Sequence, residues 1–241
     1  MPKAFVPLAG VPLLGHALRG VLASPDVREV VLVVPAGHRS QTEAIVAEVD
    51  AGRSPGAPAP SPPASVSSVS SVASVASVAS VADAATVTVV DGGAERGDSV
   101  AAGLRALGDR VNVVLVHDAA RCLTPPEVFA RVVAAVRAGH PAVVPGTPVV
   151  DTVKQVDADG FVVATPDRSG LRAVQTPQGF DRAVLERAHA DAAASGHGAT
   201  TDDAGLVERL GERVLVVDGH PWALKVTTPA DLEAAARILA G

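Results

Sequence analysis

Four short segments carry side chains whose types and spacing could do chemistry. The first, Asp91–Val100 (DGGAERGDSV), is a glycine-containing turn between an apolar run and a helical pattern. Glycines let backbone N–H groups approach a base or phosphate closely, and Ser99 offers a hydroxyl at the helix start. The same residues would also make an ordinary strand-to-helix turn capped by Asp98 or Ser99. The second, Val116–Arg121 (VHDAAR), sets a carboxylate and a guanidinium three residues apart around two small alanines that leave room for a ligand. Asp118 could hold a hydroxyl or a metal-bound water and Arg121 could fork onto a phosphate, or the two could form a surface ion pair. His117, at the end of a strand, reads as structural.

The third is discontinuous: Pro148–Lys154 (PVVDTVK), Asp167–Leu171 (DRSGL) and Gln175–Phe180 (QTPQGF). Taken alone these are a hairpin and a proline turn. The fourth, Ala223–Thr227 (ALKVT), isolates Lys225 in an apolar stretch, where a lysine either snorkels outward or points into a site.

The elements that must position these segments alternate along the chain. Apolar, β-branched runs at Glu29–Val34, Thr86–Val90, Val111–Val116 and Pro141–Pro145 predict buried parallel strands. Helical patterns lie between them at Leu13–Leu22, Gln41–Val49, Ser99–Leu107 and Pro125–Arg137, the last with Thr124 as its expected cap. This predicts an α/β fold with a doubly wound, mostly parallel sheet, whose ligands sit at the C-terminal strand ends. Past Gly146 the alternation breaks. Val149–Ala164, turning at Asp157–Gly160, reads as a β-hairpin arm leaving the body. Helices at Arg182–Ala194, Asp202–Leu210 and Pro229–Leu239 and strands at Arg213–Val217 and Ala223–Val226 complete the chain.

Composition narrows the function. A formal net charge of −6 supplies no positive field for nucleic acid or an anionic membrane surface, so bound phosphate must be held by local cations. Aromatic residues are 2% of the chain, which leaves a base to be read by backbone groups rather than by stacking. No run reaches the ~18 apolar residues that a membrane span needs. The start, MPKAFVPLAG, lacks a secretory pattern, so the cytoplasm is the expected compartment. Cys122 is the single cysteine and reads as a bland thiol.

Residues 52–84 stand apart. A Pro/Gly/Ser-rich stretch is followed by a tract with valine at 66, 69, 72, 75, 78 and 81. A period of three winds around a helix and alternates faces on a strand, so it marks no fixed face. The tract is expected to be a low-complexity loop insertion, disordered or weakly helical, with no catalytic role.

As a set, the motifs resemble the 2-C-methyl-D-erythritol 4-phosphate cytidylyltransferases. DGG.ER.DSV, HDAAR, DT.K, DR.GL, TPQ.F, TDDA and LKVT.P.DL occur in that family's order, and the opening PKAF resembles its early lysine motif. The resemblance implies a Rossmann-like nucleotidyltransferase fold, one domain over residues 1–241 with a dimerisation arm at 147–172. It implies transfer of CMP from CTP to 2-C-methyl-D-erythritol 4-phosphate, in the non-mevalonate route to isoprenoid precursors, with Mg²⁺ bound alongside CTP. Lys3, Arg168 and Lys225 match catalytic positions. Gly93, Ala94, Arg96 and Ser99 match the CTP site, and Asp118, Arg121, Thr152 and Thr176 the acceptor pocket. A homodimer is implied, in which Arg168 and Thr176 serve the opposite subunit's site. Another alditol phosphate such as ribitol 5-phosphate stays open as acceptor, as does a non-catalytic dimeric remnant. In the family a strand and a glycine-rich, arginine-bearing loop precede the Pro-Lys motif, which here begins at Pro2. Two explanations are open, a start assigned too far downstream, which the intact later motifs favour, or a real truncation; the chain as written is expected to have a sheet without a central strand and a site without its phosphate loop.

Overall fold

The computed structural model describes residues 2–53, 73–78, 85–195 and 201–241. In chain order, a 3-10 turn at Lys3–Phe5 leads to β1 (Pro7–Leu8), β2 (Val11–Pro12), α1 (Leu13–Leu22), β3 (Glu29–Val34) and α2 (Arg39–Arg53). There follow β4 (Ala73–Val78), β5 (Thr86–Asp91), α3 (Arg96–Ala106), β6 (Val113–Asp118), α4 (Pro126–Arg137) and β7 (Ala142–Pro148). The remainder is β8 (Gln155–Val156), β9 (Val162–Ala164), β10 (Arg172–Val174), β11 (Gln178–Asp181), α5 (Arg182–Ser195), α6 (Ala204–Arg209), β12 (Val214–Asp218) and α7 (Pro229–Ala240). No helix among the described residues is long and apolar enough to cross a membrane.

The main sheet runs β5–β3–β4–β6–β11–β7–β12, with β10 continuing the lane of β11 along the same edge of β7. The pairings set β3, β5, β6, β7 and β12 in one direction and β4, β10 and β11 in the other, so the sheet is mixed with the parallel sense prevailing. Strand β3 shows why it is double-sided. Val30, Leu32 and Val34 pack into one core with α1, α2, α4 and α7, while Val31 and Val33 pack into the other with α3, α5 and α6. Successive side chains of a strand point to opposite faces, so a run of EVVLVV can only be satisfied by helices on both sides.

Two sequence expectations are corrected. The low-complexity tract does not stay outside the body: Ala73–Val78 is strand β4, antiparallel to both β3 and β6 and in the middle of the sheet. Val75 lies opposite Val31 on one side and Val116 on the other. Neither helical nor strand periodicity forecasts this. Two strands buried on both faces leave a slot whose backbone groups need partners, and a Ser-Val-Ala hexapeptide free of proline and charge can supply them. The sheet thus has a strand where a gap was expected; the rest of 52–84 lies outside the described residues apart from the end of α2 at Gly52–Arg53. The second correction is Ala223–Val226, which is no strand. Pro221–Ala223 forms a 3-10 turn, and Ala223 and Val226 are buried from an irregular segment.

Helix starts follow local chemistry. Asp231 accepts from the backbone of Thr228 at 2.7 Å while Thr228 Oγ1 accepts from the Asp231 backbone at 3.2 Å, the reciprocal cap of α7. Helix α4 is entered through Pro125, and Thr124 is not its cap; its hydroxyl donates to the Arg121 carbonyl at 2.8 Å. The arm is a two-stranded β8–β9 hairpin closed at Gly160 (φ +88°), a left-handed conformation that suits glycine. It exposes Phe161, Val162 and Val163.

Candidate active site

Strand β6 ends at Asp118, on the edge of the sheet where open α/β folds place ligands. The two alanines after it let the chain turn under the sheet, and the Arg121 guanidinium is fixed by Nη1 donating to the Ala223 carbonyl at 2.7 Å and Nη2 to that of Val174 at 3.2 Å. Arg121 Nε is buried without a hydrogen-bond partner, 3.9 Å from Asp118 Oδ2. Lys225 reaches back from the segment before α7 and sets Nζ 2.8 Å from the same oxygen. Lys225 therefore points into the site, with nearly half of its side chain still exposed. Burial works to raise Asp118, but the Lys225 hydrogen bond and charge, with Arg121, outweigh it and hold the carboxyl below its ordinary value. It is an anion in neutral solution.

Behind Asp118 stands a buried polar pair. Thr176 Oγ1 accepts from the Asp118 backbone at 3.0 Å and lies 2.9 Å from His117 Nδ1. Its peptide to Pro177 is cis. Burial drives His117 down to about 4, so it is neutral, in keeping with a structural role. Next along, β11 begins at Gln178, whose amide donates to Asp202 at 2.8 Å and whose carbonyl accepts from the Ala204 backbone at 3.2 Å.

The glycine turn joins β5 to α3, whose first residue, Arg96, reaches the cleft. Gly92 N–H donates to the Val34 carbonyl at 2.7 Å, Gly93 N–H to Ser99 Oγ at 3.2 Å, and Ser99 Oγ to the Glu95 carbonyl at 3.1 Å. A Cβ on Gly93 would sit 2.1 Å from the Asp98 Cβ, so only glycine permits this fold-back. Ala94 lies exposed at its tip. Helix α3 begins three residues earlier than expected, at Arg96, whose Nη2 donates to the fully buried Asp203 at 2.5 Å.

Arg96, Asp118, Arg121, Thr176 and Lys225 thus line one cleft of about 290 Å³, together with Gln175, Gln178, Thr201 and Asp202. The other expected site residues do not line it: Gly93, Ala94 and Ser99 stay within the turn before α3, and the rest lie elsewhere. Lys3 is half-buried in the opening 3-10 turn. Thr152 and Arg168 are exposed at the root of the arm, where Arg168 Nη1 donates to the Val150 carbonyl. Among the residues sequence reasoning did not select, Gln178 and Asp203 are the most deeply placed; the adjacent acids of TDDA were the available signal. Three cations and the ionised Asp118 in a small polar cleft can grip a phosphorylated ligand while a carboxylate holds its hydroxyls.

Comparison with known proteins agrees with this geometry. The sequence model of the 2-C-methyl-D-erythritol 4-phosphate cytidylyltransferase family matches residues 65–241. Proteins of that name from Rhodococcus jostii and Saccharopolyspora erythraea are each 47% identical to this chain. The match covers 96% of the chain and 84% of the first, and 100% and 92% respectively for the second. The crystal structure of the protein of that name from Thermus thermophilus superposes with a TM-score of 0.71 at 31% identity, over 100% of this chain and 94% of that one. The 4-diphosphocytidyl-2C-methyl-D-erythritol synthase of Anaerococcus prevotii gives a TM-score of 0.79 at 26% identity, covering 99% and 93%. The chain belongs to the 2-C-methyl-D-erythritol 4-phosphate cytidylyltransferase family of nucleotidyltransferases.

Proposed function

We propose that the chain transfers CMP from CTP to 2-C-methyl-D-erythritol 4-phosphate, giving 4-diphosphocytidyl-2-C-methyl-D-erythritol and pyrophosphate. The observation that carries this reading is the convergence of Arg96, Arg121 and Lys225 with the ionised Asp118 at the end of β6. The attacking group is a phosphate monoester with a second pKa of ~6, already a dianion in neutral solution, so no general base is needed. One of its oxygens bonds to the α-phosphorus as the bond to the pyrophosphate oxygen breaks. The protein must align the two and neutralise charge on the phosphoryl oxygens, which is work for Lys and Arg.

In this reading Lys225 leaves Asp118 for the acceptor phosphate, while Asp118, Arg121 and Thr176 hold the alditol; Thr176, expected to serve the opposite subunit, lines the cleft of its own chain, and Thr152 would join them only from the other subunit's arm. Gly93, Ala94, Arg96 and Ser99 take the nucleotide, with Lys3 at its α-phosphate. Mg²⁺ would supply charge neutralisation on the triphosphate. It ordinarily takes one or two carboxylates beside substrate phosphates and water, a demand that the carboxylates of this cleft fit. The exposed apolar residues Val150, Phe161, Val162 and Val163 favour a homodimer through the arm, residues 147–172, which would carry Arg168 to the other subunit's cleft.

The test is pyrophosphate release from CTP and Mg²⁺ with a panel of alditol phosphates. The highest kcat/KM is expected with 2-C-methyl-D-erythritol 4-phosphate; a higher value with ribitol 5-phosphate would overturn the acceptor assignment.

A further inference from the structure

Arg96 is an unusual choice for the first turn of a helix. Aligned peptide dipoles place partial positive charge there, which favours an acid over a base. Its side chain is nevertheless held across the cleft wall, about a quarter exposed, by a carboxylate on a different helix pair. That carboxylate, Asp203, has no accessible surface and uses both oxygens: Oδ2 accepts from Arg96 Nη2 at 2.5 Å, and Oδ1 lies 3.0 Å from His189 Nε2. His189 is on α5 and Asp203 precedes α6, so the carboxylate that meets the guanidinium is itself held by a second helix.

A buried carboxylate costs several kcal/mol unless its partners are in place, so this arrangement tolerates little drift. Burial alone would raise Asp203, yet His189 and Arg96 hold it below its ordinary value. Burial likewise works against the charge on Arg96, and Asp203 more than restores it. The glycine turn runs directly into Arg96, and its last residue is held on α3 by the cap in which Glu95 N–H donates to Asp98 at 3.1 Å.

We infer that Asp203, seated against His189, is a positioning residue that aims Arg96 and the glycine turn at the nucleotide. This rests on the proposed CTP-binding role of that turn. Asp203 touches no ligand and acts through Arg96.

The experiment measures kcat, KM for CTP, and CTP affinity by titration calorimetry for the parent, Asp203→Asn, Arg96→Ala and the double variant. Loss of a charge-assisted contact is expected to raise KM for CTP by ~10–100-fold with kcat within roughly threefold. The double variant should be no worse than Arg96→Ala, since one residue acts through the other. A KM within twofold of the parent, or effects of the two substitutions that multiply, would overturn the inference. Should Asp203→Asn not fold, Asp203→Glu keeps the charge and displaces it by one methylene, with the same rise in KM expected. Two variants that only fail to fold would make Asp203 a core residue and overturn the positioning role. A parent that binds no CTP sinks the functional reading as well, whereas a parent that binds CTP beside an unaffected Asp203→Asn sinks only this inference.

Discussion

Removing Ser65–Ala82 should unfold the protein, although the tract looks dispensable on composition. Strand β4 is registered against Glu29–Val33 on one side and Val113–Asp118 on the other. In antiparallel pairing alternate residues bond each neighbour through both N–H and C=O, so on the order of ten backbone groups of β3 and β6 lose their partners. Those strands are buried by helices on both faces, so water cannot replace the lost partners. At the lower bound of ~1 kcal/mol per orphaned group the loss is about 10 kcal/mol, the size of a typical domain's entire stability of ~5–15 kcal/mol. The alternative is closure of β3 directly onto β6, which would drag two helical layers inward by one strand spacing of about 4.8 Å. The assay is a thermal melt followed by near-ultraviolet circular dichroism. A shorter deletion, Ser65–Ser70, keeps Ala73–Val78 and serves as the control, since loop length is only weakly penalised. Loss of the cooperative melt in the longer deletion alone is expected. A longer deletion that melts cooperatively within a few degrees of the parent would refute the reasoning and show that the sheet closes without β4.

Two further tests follow from individual groups. His117 is held down at about 4 by burial, whereas in the unfolded chain it titrates near ~6.5. Between those values the unfolded state binds the extra proton, so stability falls as the pH is lowered through this window, by on the order of 3 kcal/mol, and is not lost further below about 4. His117→Gln should flatten denaturant-derived stability over pH 6.5 to 4, and an unchanged slope would assign it elsewhere. Gly93→Ala would press a Cβ to 2.1 Å from Asp98 Cβ in an exposed turn. CTP affinity should fall at least ~10-fold with a melting temperature near the parent's, because backbone donors rather than core contacts are displaced; unaltered affinity by calorimetry would take the turn out of the nucleotide site.

What could be read in advance divides along physical lines. Glu29–Val34 and Val113–Val116 announce themselves because strands buried on both faces must be continuously apolar. Ala73–Val78 gives no such signal, and its place is decided by the strands that flank it. Ala223–Val226 misleads for the opposite reason: apolarity reports burial, and Pro221 and Trp222 before it form a 3-10 turn that delivers buried residues without a ladder. In the site, Asp118, Arg121 and Lys225 are legible because charge at the end of an apolar strand, or isolated in an apolar stretch, asks for a partner. Asp203 is not, because adjacent acids before a short helix look like caps. Its burial against Arg96 and His189 exists only after α3, α5 and α6 are packed together.

Strand β4 carries the sequence Ala-Ser-Val-Ala-Ser-Val, and the next six residues with the same order begin three positions later, at Ala76. Advancing the chain by one triplet would therefore present β3 and β6 with the same residue order, where an ordinary strand is punished for a slip of one or three residues because its faces exchange. Four residues, 82–85, would then remain to reach Thr86, across two strand spacings of about 10 Å. In informational terms the central lane of the sheet is written redundantly. A lesion at Val75 strikes one copy of a message held twice, and gain or loss of a single Ser-Val-Ala unit alters loop length while leaving the lane filled.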